Sequence, residues 1–280
     1  MKKIITVSGL GLLLLASLFL FGKIDAPKKN TPQALLPNNT FNVSAFIQKS
    51  KQSLQPGQIL FLNKLENNIS RGDIKNQSIN SLRQIADFWK DSVKAFVPYA
   101  YYTAEAAKLD NSEKSLTFAA RLFLDNMRGE NDEGLKGWEA ETAISFFQRA
   151  LQLDPDNDSL KVGLGSCYVY GRGMIGDAAE TMKGIQQLLG VVKKDSTNMQ
   201  AQMVLGIGGV ISRQYDKGIE RLLKVTKAEP LNLEAVSWLA DAYAATGDND
   251  NAVKWYQYSK KLVNNAEYSK EVDERIKALH

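Results

Sequence analysis

Histidine and cysteine are almost missing from this chain: each occurs once in 280 residues. One cysteine, Cys167, excludes an intramolecular disulfide and a zinc site built from cysteines. The one histidine is the last residue, His280, a position that holds an imidazole poorly. No Ser-His pair, P-loop or metal constellation can be assembled from this inventory, so no catalytic residue, cofactor or metal is expected. Cys167, with only the terminal His280 in the chain and so no firmly held imidazole to activate it, reads as a buried structural thiol. Dense basic runs are lacking as well. The 35 basic and 31 acidic residues leave a net charge of +4, and the basic ones fall in scattered pairs such as Lys193-Lys194 and Lys260-Lys261. A nucleic-acid surface needs a dense basic stripe, so no nucleic-acid partner is expected. What remains, 44% hydrophobic and 24% charged, is globular composition and not that of a disordered chain.

Charge is absent from one stretch altogether. After Lys2 and Lys3, residues 4–22 carry none and are mostly apolar. Nineteen helical residues span about 28 Å, close to the thickness of a bilayer core. The segment 1–22 therefore reads as a signal-anchor helix or a signal peptide. Ala26 suits the end of a cleavage site, but Ile24 two residues earlier is not small, which favours the uncleaved form. No cysteine follows, so a lipoprotein anchor is excluded. The expected location is anchored in a bacterial inner membrane facing the periplasm, or exported to the periplasm. Residues 23–40, with Pro27, Pro32 and Pro37 among asparagines, read as a flexible linker.

From Phe41 onward nothing alternates like a strand. Residues 41–97 read as an N-terminal helical segment: a short helix from Phe41 to Ile47, a second opening at Pro56, and a third over roughly 75–96, which Pro98 ends. Beyond it the chain repeats itself. Ala143, Phe147, Ala150 and Pro155 set a spacing that recurs at Gly184, Leu188, Val191 and Ser196. It recurs again at Gly218, Leu222, Val225 and Pro230, then at Ala252, Tyr256, Ser259 and Asn264. Nine residues after each of the first three turns comes a second signature: Leu164-Gly165-x2-Tyr168, Leu205-Gly206-x2-Gly209 and Leu239-Ala240-x2-Tyr243.

These residues resemble the tetratricopeptide repeat, a 34-residue helix-turn-helix unit. The resemblance implies an all-α fold, a right-handed superhelical solenoid over 98–266 with its best-formed units at 158–264. Phe118-Ala119-x2-Leu122 looks like the first helix of a degenerate unit, and Ala106 to Asn111 mirrors Ala150 to Pro155. Residues 267–280 read as a capping helix, polar on one side, which stacked repeats need at their end.

Three stretches look chemical. Gly171, Gly173 and Gly176 spell G-x-G-x-x-G, but no strand precedes them as a dinucleotide fingerprint requires. The first inter-repeat spacing is 41 residues where the others are 34, so the glycines read as an enlarged turn from Tyr170 to Asp177. Asp154, Asp156 and Asp158 alternate like a calcium loop but lack its glycine and bidentate glutamate, and read as turn acids. Asp132, Glu139 and Glu141 around Trp138 read as a charged helix face with one anchoring tryptophan, not as catalytic carboxylates.

The family resemblance implies a concave groove lined by first helices. Its expected lining here includes Val162, Ser166 and Val169, then Gln200, Met203, Ile207 and Val210, then Ser237 and Asp241. Exposed, the apolar middle would mark a protein or peptide partner site; alternatively a helix from 41–97 covers it. The function implied is a protein-interaction scaffold in the cell envelope, with self-assembly through the N-terminal helices as the alternative. The membrane would be reached through the N-terminal segment.

Overall fold

Polar caps decide where the helices of this protein begin. A computed structural model describes residues 41–71 and 75–279; the apolar run at 4–22 and the linker at 23–40 lie outside the described residues. Among the described residues there are thirteen α-helices and no strand. They are α1 (Val43–Gln52), α2 (Pro56–Arg71), α3 (Lys75–Asp87), α4 (Phe96–Asp110), α5 (Glu113–Met127), α6 (Glu133–Leu153) and α7 (Asp158–Ser166). Then come α8 (Ala178–Lys194), α9 (Met199–Ile211), α10 (Tyr215–Ala228), α11 (Leu233–Thr246), α12 (Asn249–Val263) and α13 (Ala266–Lys277). Asn42 caps α1 by accepting the Ala45 N–H at 2.9 Å. The same bond, from an Asn, Asp or Ser oxygen to the third helical N–H, opens α5 to α9 and α11 to α13. Each satisfies a donor that the helix itself leaves unpaired.

Sequential helices pack as hairpins, α5 on α6, α7 on α8, α9 on α10 and α11 on α12, and each hairpin stacks on the next. That is the solenoid the repeat spacing implies. α3 and α4 form an earlier hairpin that straddles residue 97, with α2 lying on α3 and α1 on α4. Pro98 sits in the first turn of α4, where its missing N–H costs no helical bond. The stacking is tight because small residues sit at the crossings. A Cβ added at Gly165 would fall 2.6 Å from Leu188 Cγ, and one at Gly184 would fall 2.8 Å from the Gly165 carbonyl oxygen. Between crossings, side chains such as Phe147, Leu188 and Leu222 are fully buried in one core running from Ala100 to Ala242. Each contributes about 1.5–3 kcal/mol by leaving water. α13 ends the stack: Val272 is buried against Ala252 and Tyr256, while Lys270, Glu271 and Glu274 face solvent.

The seven extra residues are where structure departs from expectation. They do not form a lengthened loop. Helix α7 continues without a break as a π-helical stretch, Cys167–Gly173, and only Met174 to Asp177 turn back into α8. Burial explains this: Val169 and Tyr170 are 0% and 2% exposed, and the wider π turn carries both into the core. α3 ends similarly, in a π-helical stretch at Phe88–Val93 closed by Lys94 in the left-handed conformation.

Candidate functional site

The residues expected to line an open groove do not line one. Val162, Val169 and Ile207 are 0–1% exposed, and Ser166, Met203 and Val210 are buried with them. α9 is surrounded by α7 with its π extension, α8, α10 and α11, so neighbouring repeats themselves cover this face. Gln200 is exposed. Ser237 and Asp241 are partly buried and committed to the end of the stack. The Ser237 hydroxyl lies 3.2 Å from the Tyr268 hydroxyl, and Asp241 accepts from Tyr256 at 2.5 Å and from Arg275 at 3.1 Å. The nine positions are thus not brought together as a surface. Met203, Ile207 and Val210 are packing residues, because the stack curves tightly enough to bring first helices into mutual contact.

A polar clasp accompanies that closure. Arg128, just past α5, pairs with Glu234 in the first turn of α11 at 2.6 Å. Its guanidinium stacks over the Tyr170 ring at 4.5 Å and donates to the Tyr170 hydroxyl at 2.8 Å. Tyr170 in turn donates to Glu234 at 2.7 Å. Burial, with the Glu234 charge second, pushes the Tyr170 phenol up, so it stays a proton donor.

The other flagged residues have structural duties. Cys167 is fully buried, and burial pushes its thiol up, away from nucleophilic use. A Cβ at Gly171 would meet the side chains of Ala140 and Met127, so that glycine allows the π stretch to approach α6. Gly176 has a φ of +89°, which a turn needs and glycine supplies. Asp158 holds Lys194 at 2.7 Å, and Asp154 accepts from Asn157 at 2.9 Å. Asp132 caps α6, Glu141 pairs with Arg172 at 2.6 Å, and Trp138 packs edge-on against Phe123. Glu139 breaks the expected pattern. It is not on a solvated face but fully buried, with one carboxyl oxygen accepting from Asn126 at 2.7 Å and the other without a partner. Burial raises its pKa to about 7.

The open surface lies elsewhere. Between α3, α4 and α5 is a cleft of about 530 Å³, floored by Ala86, Ala106 and Ala107. Phe118 stands at its rim. Counted from the helix caps, the position of Leu164, Leu205 and Leu239 falls on Ala119, which is 0% exposed, whereas Phe118, one residue earlier, is 56% exposed. A large aromatic side chain is thus left uncovered beside the cleft. Arg83 and Asp110 pair across the cleft at 2.8 Å. A hydrogen bond from the Ser115 hydroxyl, with Arg83 adding to it, holds the Asp110 carboxyl below the usual range. The degenerate unit is a first helix as the spacing implied, but its signature falls on Ala119-Ala120-x2-Phe123, one residue later than Phe118-Ala119-x2-Leu122. Nothing in the sequence marked the cleft, because its walls come from three helices with no shared motif. A smaller groove of about 320 Å³ holds Gly173 and Gly176 beside Met182 and Ile185.

A family model described as tetratricopeptide repeat matches residues 212–267, which hold α10 to α12 and the start of α13. No curated protein matches the chain. Among solved structures the chain is similar to TTC0263, a thermophilic tetratricopeptide repeat protein of Thermus thermophilus, with 15% identity over 72% of this chain and 98% of that one, at a TM-score of 0.51. It also matches MamA from Desulfovibrio magneticus, with 18% identity over 69% and 97% at a TM-score of 0.48. PilW, a type IV pilus biogenesis factor, gives 18% identity over 72% and 93% at 0.46. The fold is a tetratricopeptide-type helical solenoid.

Proposed function

We propose that this protein is a non-catalytic interaction scaffold whose solenoid presents a rigid surface to a protein or peptide partner. The open cleft beside Phe118 carries this reading: an exposed aromatic side chain stands at its rim, while the face at Ile207 is covered by neighbouring repeats. Support also comes from the polar groups, many of which serve as helix caps and inter-helix bridges. On the finer points, the apolar charge-free run at 4–22 supports an anchor that holds the solenoid at a cell envelope, facing the periplasm. Among the described residues no helix is long and apolar enough to cross a membrane. The test is cross-linking of the full chain in its native cells, followed by fractionation and identification of the linked proteins. Reproducible capture of the same partner from the envelope fraction is the expected result; capture of nothing above a non-cross-linked control would sink the scaffold reading.

One observation favours a second reading, self-assembly. α1 and α2 expose Phe46, Ile59, Leu60 and Phe61, with Leu60 71% exposed, at the end of the stack opposite the polar cap α13. Sedimentation of the full chain in detergent, against Leu60→Asp with Phe61→Asp, decides this reading. A dimer that the pair of substitutions dissociates supports it, and a monomer in both removes it.

A further inference from the structure

We infer that the cleft between α3, α4 and α5 is a docking site for a short peptide segment that carries a large apolar side chain beside an acidic one. This rests on the scaffold reading and names the ligand chemistry of its open site.

The apolar side of the cleft is the exposed ring of Phe118 beside the short side chains of Ala86, Ala106 and Ala107. The resulting volume, about 530 Å³, falls in the range of clefts that hold ligands, roughly 300–1,000 Å³. A bulky apolar side chain from a partner would cover both the Phe118 ring and the alanine floor.

The acidic half is a matter of charge. Arg83 is taken up by Asp110, which also accepts from Ser115. Lys90 and Lys114 line the same cleft, are exposed, and have no carboxylate partner among the described residues; Lys90 sits 5.8 Å over the Tyr99 ring. Asp87 opposes them, so two uncompensated cations face one uncompensated acid. A carboxylate on the ligand answers the excess, and Asp87 offers an acceptor to a backbone N–H of the same segment.

The test uses the full chain and two pools of fluorescein-labelled octapeptides, each centred on Leu or Phe. One pool is flanked by Asp and Glu, the other by Lys. Anisotropy titration is expected to show the acidic pool binding at least tenfold tighter, with the preference shrinking as salt is raised. Lys90→Glu with Lys114→Glu should reverse the preference, and Phe118→Ser should weaken both pools about tenfold. The three side chains are exposed, so the thermal midpoint should hold in all variants. Equal binding of the pools, binding of neither, or indifference to Phe118→Ser overturns the inference. So does a dimer that Phe118→Ser converts to monomer, which would put a second copy in the cleft. A partner cross-linked equally well to wild type and these variants leaves the scaffold standing and removes only the cleft.

Discussion

Arg128 and Glu234 are 106 residues apart in the chain and 2.6 Å apart in space. The first lies just past α5 and the second in the opening turn of α11, with Tyr170 stacked beneath the guanidinium and bonded to both. No local rule brings these groups together. The pair reports how sharply the solenoid curves, and that curvature buries the face expected to be a groove.

The clasp should couple energetically. Both side chains are about one-third exposed, so screening limits the pair to a coupling on the order of 1 kcal/mol. A double-mutant cycle with Arg128→Ala and Glu234→Ala, measured by urea unfolding, should return that value and lose most of it in 1 M salt. Strict additivity at low salt would show that the pair is incidental.

Ile207 should behave as core, not as a contact surface. It is fully buried, so Ile207→Ala should cost about 2–5 kcal/mol. Ile207→Glu should prevent folding at all, because a lone buried charge has nothing to pair with. Circular dichroism melts check both. A folded, stable Ile207→Glu protein would restore the open groove.

Glu139 should make stability depend on pH. Its carboxyl titrates near 7 when folded and near 4.5 in the reference state. Between those values the folded protein binds more protons than the unfolded one, so stability falls as pH rises from about 4.5 to 7 and is flat above. The full loss is roughly 3 kcal/mol. Glu139→Gln keeps the shape without the charge and should raise stability at pH 8 while flattening the profile. A wild-type profile already flat between pH 5 and 8 would contradict this account.

Two glycines should respond in opposite directions to alanine. A Cβ at Gly171 collides with Ala140 and Met127, so Gly171→Ala should destabilise by about 1–3 kcal/mol. Gly190, inside α8, is exposed and has open space around its would-be Cβ, so Gly190→Ala should stabilise by about 0.5–1 kcal/mol. Thermal midpoints of the two variants measure both; equal signs would undo the packing argument for the π stretch.

The helices and their pairing are legible in the order of residues alone. Asn and Asp caps, prolines at 155 and 230, and small residues such as Gly165, Gly184, Gly206 and Gly218 act over one or two turns, where chain order and spatial order coincide. Their spacing therefore implies hairpins, and the hairpins are found. Even the surplus of seven residues before α8 can be counted. What it becomes cannot. Whether extra residues loop out or continue as a π turn depends on the room that Ala140 and Met127 leave beside Gly171. The same limit governs the candidate site. Val169, Met203, Ile207 and Val210 have the polarity of a binding groove and of a core alike, because burial is a property of the neighbours and not of the residue. Only the small angle added at each hairpin, summed over the stack, decides which helices meet. That sum closes the face at Ile207 and joins Arg128 to Glu234.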